Sequence, residues 1–171
     1  GVGLGVYLSF YIHVKSLSII FLIATGLLWF YSTDYKRQFL IGNLSVAFLT
    51  GLVPLMVVLF EIPQLNRTYG EIMIMHSSNF NYMFAWVAGF SFFAFITTLI
   101  REIIKDMEDF KGDMAYGMKT LPIVAGMNIS KIILVLLIAG TVGSIVYVLV
   151  KYLLFTQSGV DIVSLVYISL T

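Results

Sequence analysis

The stretch REIIKDMEDFKGDMAYGMKTLP, residues 101–122, interrupts a chain that is otherwise almost entirely apolar. Nine of the nineteen Asp, Glu, Lys and Arg residues lie between Arg101 and Lys119. Over all 171 residues, 60% are hydrophobic and 11% are charged, whereas soluble domains carry roughly 25% charged residues. This balance is typical of a membrane protein whose charged stretch connects spanning helices.

The apolar sequence around this stretch predicts an all-α, polytopic transmembrane helix bundle that forms one domain over residues 1–171. A spanning helix needs about 20 mostly apolar residues, and five to six segments approach this length. They are residues 1–14, 17–31, 39–60, 80–100, 129–150 and 152–171. Pro54 predicts a kink in the third segment, and residues 61–79 are expected to form an exterior connection. Because apolar runs meet both chain ends, we expect additional N-terminal helices in a longer parent protein.

The basic residues are divided unequally between the two sides of the membrane. The richer side carries seven, namely Lys36, Arg37, Arg101, Lys105, Lys111, Lys119 and Lys131, and the other carries Lys15, Arg67 and Lys151. The positive-inside rule therefore predicts a multi-pass membrane protein with its Asp-rich loop facing the cytoplasm. The chain has no cysteine, which excludes disulfides and thiolate sites. The lack of a basic stripe argues against a nucleic-acid partner.

The acidic residues of the charged stretch recur at helical spacing. On an α-helix, Asp106, Asp109, Asp113 and Glu102 fall within an arc of about 60°, whereas Glu108 points away. Close carboxylates repel each other unless a proton or a cation intervenes, and oxygen ligands suit a hard cation such as Mg²⁺. The pattern therefore indicates a metal that holds a diphosphate, although a charged loop between two spans is also commonly just a solvated surface.

Two stretches resemble a known family. The sequence DMEDFKGDMAYGMKTLPIVAG, residues 106–126, closely resembles the second aspartate-rich motif of the UbiA superfamily of intramembrane prenyltransferases. Asp106, Asp109 and Asp113 match its three aspartates, and Lys119 to Pro122 match its tail. Upstream, YSTDYKRQFLIGNLSVA, residues 31–47, is similar to another stretch of that family.

The resemblance implies a bundle of nine transmembrane helices around a central cavity. There, Mg²⁺ would hold the diphosphate of a prenyl diphosphate donor while a lipophilic acceptor attacks the allylic carbon. Asp106, Asp109 and Asp113 become the expected catalytic and metal-binding residues. The expected diphosphate-binding residues are Lys36, Arg37, Lys119, Tyr31 and Asn43.

The sequence departs from the family pattern in one respect. The first aspartate-rich motif, N-x-x-x-D-x-x-x-D, does not occur in these 171 residues. We therefore expect the chain to correspond to the C-terminal portion of a prenyltransferase, inactive on its own.

The acceptor is not determined by these motifs. The sequence looks most similar to bacterial members grouped with geranylgeranylglycerol-phosphate geranylgeranyltransferases, which transfer a geranylgeranyl group to a glycerol-phosphate lipid. This resemblance implies a location in the bacterial cell membrane. A quinone-pathway enzyme with an aromatic acceptor remains an alternative. A non-catalytic transporter or divalent-ion-binding protein is another, because carboxylates near a membrane are typical of ion paths.

Overall fold

The structure, a computed structural model, describes residues 1–11, 13–15, 17–33, 38–75 and 81–150. Every regular element in these ranges is helical, which confirms the all-α fold. The helices are α1 (Val2–Tyr11), α2 (Leu17–Thr33), α3 (Ile41–Met75), α4 (Asn81–Glu108), α5 (Phe110–Ala115), α6 (Leu121–Ala125) and α7 (Met127–Leu149).

Three of these helices are long and apolar enough to cross a membrane, over Ile41–Glu71, Met83–Glu108 and Met127–Leu149. The apolar helices α1 and α2 are shorter, with 10 and 17 residues. Five of the six predicted segments therefore correspond to helices, and the sixth lies outside the described residues. Many large apolar side chains are exposed along these helices, as expected where lipid replaces water as the solvent. The chain is an integral membrane protein.

Helix α3 is longer than predicted. The exterior connection expected from residue 61 onward is wrong as far as Met75, because α3 continues through Pro54 and Pro63. The Gln64 amide and the Thr68 hydroxyl donate to carbonyl oxygens one turn earlier, so these polar residues remain in the helix. At 1.5 Å per residue, α3 is about 50 Å long. This length exceeds the hydrocarbon core of a bilayer, which is about 30 Å thick. The polar end of α3 can therefore continue as a helix beyond that core.

Helices α3 and α4 form the most extensive helix–helix contact. Gly51 lies where the two backbones approach closely: a Cβ atom there would be 3.0 Å from the Ser91 carbonyl oxygen and 3.1 Å from Phe95 Cβ. Small residues permit such close packing between membrane helices. Helix α4 also continues eight residues beyond its predicted end at residue 100, which carries the acidic residues onward from a rigid, packed helix.

The buried core lies beneath the charged end of the bundle. Ala47 of α3, Leu99 and Ile103 of α4, and Leu121 of α6 form one cluster, and all four are less than one-tenth exposed. Partly buried side chains of α7 pack against this cluster. The core therefore holds the ends of α3 and α4 and the short α6 in a fixed arrangement.

The chain reverses at Gly117. Gly117 has a φ of 68°, which glycine adopts without strain. The Met118 amide donates to the Asp113 carbonyl at 2.9 Å, and the Gly117 amide donates to Met114 at 3.2 Å. These two bonds form a Schellman motif at the end of α5, and they return the chain toward the end of α4.

Candidate functional site

A polar pocket of about 460 Å³ opens where α2, α3, α4, α5 and the segment before α6 meet. Its volume lies within the usual range for ligand sites, roughly 300–1,000 Å³. The charged side chains that line it are Glu102, Lys105, Asp106, Glu108, Asp109 and Asp113. Tyr31, Gly42, Asn43, Met118 and Thr120 are among its other lining residues. The pocket thus combines both stretches on which the family resemblance rests.

The three predicted aspartates all line this pocket, although no single helix carries them. Helix α4 ends at Glu108, and Asp109 is the N-terminal cap of α5. The backbone nevertheless stays nearly helical, because the Asp109 amide donates to Lys105 and the Asp113 amide donates to Asp109, both at 2.9 Å. The aspartates therefore remain on one side. Glu108, which was expected to point away from this group, is also among the residues that line the pocket.

Asn43 and Asp106 are joined directly although 63 residues separate them. The Asn43 side-chain amide donates a hydrogen bond of 2.8 Å to Asp106 Oδ2. Asn43 lies in the first turn of α3, and Asp106 lies near the end of α4. The bond links the two helices at the pocket and orients one carboxylate. Because only one carboxylate oxygen receives this bond from Asn43, Asp106 Oδ1 is left for a ligand.

The other predicted diphosphate-binding residues are distributed unevenly. Tyr31, near the end of α2, lines the pocket. Lys119 is exposed and is not among the lining residues, although its neighbours Met118 and Thr120 are. Lys36 and Arg37 lie outside the described residues. Lys105 also lines the pocket, although it was not predicted from the sequence to belong to the site. Its position one residue before Asp106 did not distinguish it from the other lysines of the charged stretch.

The pocket carries a large excess of negative charge. Five carboxylates and one ammonium group line it, for a formal charge of −4 among the described residues. Glu102 also accepts a hydrogen bond of 3.0 Å from Arg101, which is 74% exposed and adds little neutralisation. A phosphate ligand could not enter such a pocket without compensating cations.

The carboxylates that line the pocket supply the oxygen ligands that a hard divalent cation prefers. In the described part of the chain, no three His, Asp or Glu side chains are grouped closely enough to hold a metal ion by themselves. The described residues therefore do not form a complete metal site by themselves. Mg²⁺ usually takes one or two carboxylates and completes its octahedral shell with water and substrate phosphate, so an ion here would need those further ligands. Asp106, oriented by Asn43, and the nearby Asp109 and Asp113 are the side chains that would provide such oxygen ligands.

Thr120 belongs to the site, although the sequence placed it only in the tail of the motif and gave it no role of its own. Thr120 lines the pocket and is 6% exposed, yet its hydroxyl oxygen has no hydrogen-bond partner within the described chain. Buried hydroxyls are nearly always bonded. Its position directly before Leu121 and Pro122, at the start of a helix, was the feature of the sequence that could have drawn attention to it.

Removing the Asn43 amide should weaken the site without unfolding the bundle. Asn43→Ala leaves Asp106 free to rotate, and loss of an orienting partner typically costs about 10–100-fold in metal affinity or activity. We expect the Mg²⁺ concentration that gives half-maximal substrate binding to rise by that factor.

Asn66→Ala is the matched control for Asn43→Ala. Asn66 is an exposed asparagine nearer the other end of the same helix. If the Mg²⁺ concentration shifts equally in both variants, or does not shift in Asn43→Ala, then Asn43 does not contribute to the site.

Comparison with known proteins gives one family over nearly the whole chain. Residues 1–170 match the UbiA prenyltransferase family. No solved structure gives a significant match.

Several curated relatives share one name, digeranylgeranylglyceryl phosphate synthase. That of Methanobrevibacter smithii is 42% identical over 112 residues, covering 66% of this chain and 34% of the relative. That of Sulfurisphaera tokodaii is 35% identical over 141 residues, covering 78% and 43%. That of Thermococcus sibiricus is 33% identical over 143 residues, covering 82% and 43%. The matched part of the chain thus spans less than half the length of each of these relatives.

Proposed function

The chain belongs to the UbiA prenyltransferase family, and from this premise we propose that it forms the Asp106–Asp113 side of a site for intramembrane prenyl transfer. The donor is an isoprenoid diphosphate and the acceptor is a glycerol-phosphate lipid, with geranylgeranyl as the transferred group. The name shared by the relatives supports this choice of acceptor. The observation that carries the proposal is the acidic pocket in which Asn43 holds Asp106.

The charge of the pocket supports a metal-dependent diphosphate site. A diphosphate monoester carries several negative charges, and the lining residues carry a formal charge of −4. Bound Mg²⁺ would supply the positive charge that admits the diphosphate and stabilises it as a leaving group. Asp106, Asp109 and Asp113 are the residues proposed to hold the ion.

The chain's own residues position the donor for this reaction. Lys105 adds a point charge that attracts diphosphate oxygens. Asn43 keeps Asp106 in one orientation, and Met118 and Thr120, which follow the turn at Gly117, also line the pocket. Ile103 and Leu121 are fully buried in the core that connects these elements.

In the transfer, the bond from the allylic carbon to the diphosphate oxygen breaks with its electron pair on the diphosphate. The acceptor hydroxyl oxygen then bonds to that carbon, and its proton passes to the diphosphate that has left.

The location of the site supports entry of the donor from one membrane face. Asp106 lies near the end of the apolar α4 rather than at its centre, so the pocket is at an end of the span. We propose that this face is cytoplasmic, because Arg101, Lys105, Lys111 and Lys119 cluster around it. Tyr31, Lys36, Arg37 and Lys119 remain proposed diphosphate contacts.

The proposed activity is tested with the full-length protein in lipid nanodiscs. It receives geranylgeranyl diphosphate, Mg²⁺ and either geranylgeranylglyceryl phosphate or a hydroxybenzoate, and products are identified by mass spectrometry. We expect an ether-linked diprenyl glycerol phosphate with the lipid acceptor, and its loss when EDTA removes the metal.

The two acceptors separate the competing functions. A prenylated benzoate without lipid product would favour a quinone-pathway enzyme. No product from either acceptor, with Mg²⁺ bound by the protein alone, would contradict the proposal and favour a divalent-ion-binding role.

A further inference from the structure

Thr120 lines the pocket, and its buried hydroxyl has no hydrogen-bond partner among the residues that the structure describes. Thr120 is 6% exposed, and its Oγ1 atom makes no hydrogen bond in the described part of the chain. An unpaired buried hydroxyl is unfavourable, because it loses its bonds to water and gains none in the protein. Such a group in a native structure requires an explanation, and binding of a ligand is one of the few available.

The local sequence explains why this hydroxyl is unpaired. Thr120 is the N-terminal cap of α6, a position where a threonine oxygen usually accepts a bond from the second or third helical amide. The second helical residue is Pro122, which has no amide hydrogen. The third, Ile123, donates instead to the Thr120 carbonyl oxygen at 3.1 Å. The cap is therefore made by the backbone, and the side chain remains free.

The backbone around Thr120 is held firmly, so only the side chain can turn. Leu121 and Pro122 are fully buried, and Leu121 belongs to the core cluster. The hydroxyl can reach another staggered position by rotation about one bond. A rotamer that directs the oxygen into the pocket that Thr120 lines together with Asp106, Asp109 and Asp113 is the one that a bound ligand would stabilise.

The chemistry of the pocket indicates what the hydroxyl binds. A threonine hydroxyl has one hydrogen to donate, and its preferred acceptor is an anionic oxygen, because charge-assisted bonds are the stronger ones. The hydroxyl makes no hydrogen bond to the lining carboxylates among the described residues, and the proposed substrates would bring phosphate oxygens as further anionic acceptors. We infer, resting on the proposed function, that Thr120 is a substrate-binding residue whose hydroxyl donates a hydrogen bond to a phosphate oxygen in this pocket. That oxygen belongs either to the diphosphate of the donor or to the phosphate of the acceptor lipid.

Three variants of the full-length protein test this inference. Thr120→Val keeps the shape of the side chain and removes the hydroxyl, whereas Thr120→Ser keeps the hydroxyl. Ser91→Ala is the matched control, because Ser91 Oγ is the other unpartnered buried hydroxyl in the described residues. Ser91 lies fifteen residues before Asp106 on α4, about 22 Å away.

The first readout is the Kd, with Mg²⁺ present, of two probes: a non-hydrolysable thio analogue of geranylgeranyl diphosphate, and geranylgeranylglyceryl phosphate. We expect Thr120→Val to weaken one of them by about tenfold or more. Thr120→Ser should stay within about threefold of wild type, and Ser91→Ala should not change. A shift for the thio analogue assigns the donor diphosphate, and a shift for the lipid assigns the acceptor phosphate.

The second readout is the thermal unfolding temperature, which separates binding from folding. It should be unchanged or higher in Thr120→Val, because an unpaired buried hydroxyl is removed. If that variant does not fold, Thr120→Ala carries the same expectation for binding. Unchanged Kd values for both probes would overturn the inference alone, and the hydroxyl would then be structural. Wild-type protein that binds neither probe would overturn the proposed function and the inference with it.

Discussion

Replacing Asp106 and Asp109 together by alanine should abolish Mg²⁺-dependent binding of the donor. Both carboxylates line the pocket, and Asp106 is held by Asn43. A metal that links carboxylates to a diphosphate contributes several kcal/mol, and each 1.4 kcal/mol is a factor of ten in Kd. We therefore expect the Kd of the non-hydrolysable geranylgeranyl diphosphate analogue to rise by about 100-fold or more. Isothermal titration of the full-length protein with and without Mg²⁺ measures this change.

The control for this variant removes two carboxylates elsewhere. Glu61 and Glu71 are exposed on α3 and do not line the pocket, so Glu61→Ala/Glu71→Ala should bind like wild type. Both proteins should also retain the same thermal unfolding temperature within a few degrees. If the Asp106/Asp109 variant binds as tightly as wild type, the carboxylates are only a solvated surface, and the transporter alternative becomes the better one.

Replacing Ile103 by alanine should destabilise the bundle and the pocket together. Ile103 is 1% exposed and lies in the core cluster with Ala47, Leu99 and Leu121. Truncation of a buried isoleucine to alanine typically costs 2–5 kcal/mol. The unfolded reference state of a membrane helix is itself in lipid. The loss of stability therefore comes mainly from lost packing contacts and not from transfer of the side chain out of water. We therefore expect about 2 kcal/mol, at the lower end of that range, in denaturant unfolding from micelles.

The neighbouring residue provides a control for Ile103. Ile104 is the next residue on α4 and is 39% exposed, so Ile104→Ala removes the same atoms without opening an equal cavity. Ile103→Ala should also weaken binding of the diphosphate analogue, because the core connects α3 and α6 to the end of α4. Equal losses of stability in the two variants would show that this cluster is not the core of the bundle.

Much of the site could be predicted because it depends on local spacing. Asp106, Asp109 and Asp113 recur at intervals of three and four, and a nearly helical backbone keeps them on one side even across the break at Asp109. Glu108 shows the limit of that reasoning. Its direction depends on where α4 ends, and helix termination is set by packing and capping rather than by periodicity.

The contact between Asn43 and Asp106 could not be predicted from spacing. Charge asymmetry predicted that the two stretches share a membrane face, but 63 residues separate the partners. Their distance depends on how closely α3 and α4 pack, which Gly51 permits. The unpaired Thr120 hydroxyl has the same origin, since it depends on which amide hydrogens the first turn of α6 leaves available.

The sequence by itself determined the membrane class, the helical architecture, the family resemblance and the acidic side of the pocket. These follow from apolar run length, from the period of the α-helix and from two motifs, all of which are local properties of the chain. The tertiary structure decided the extents of α3 and α4 and the meeting of Asn43 with Asp106. Those features arise from packing between distant segments, whose free energy depends on shape complementarity that no local pattern records.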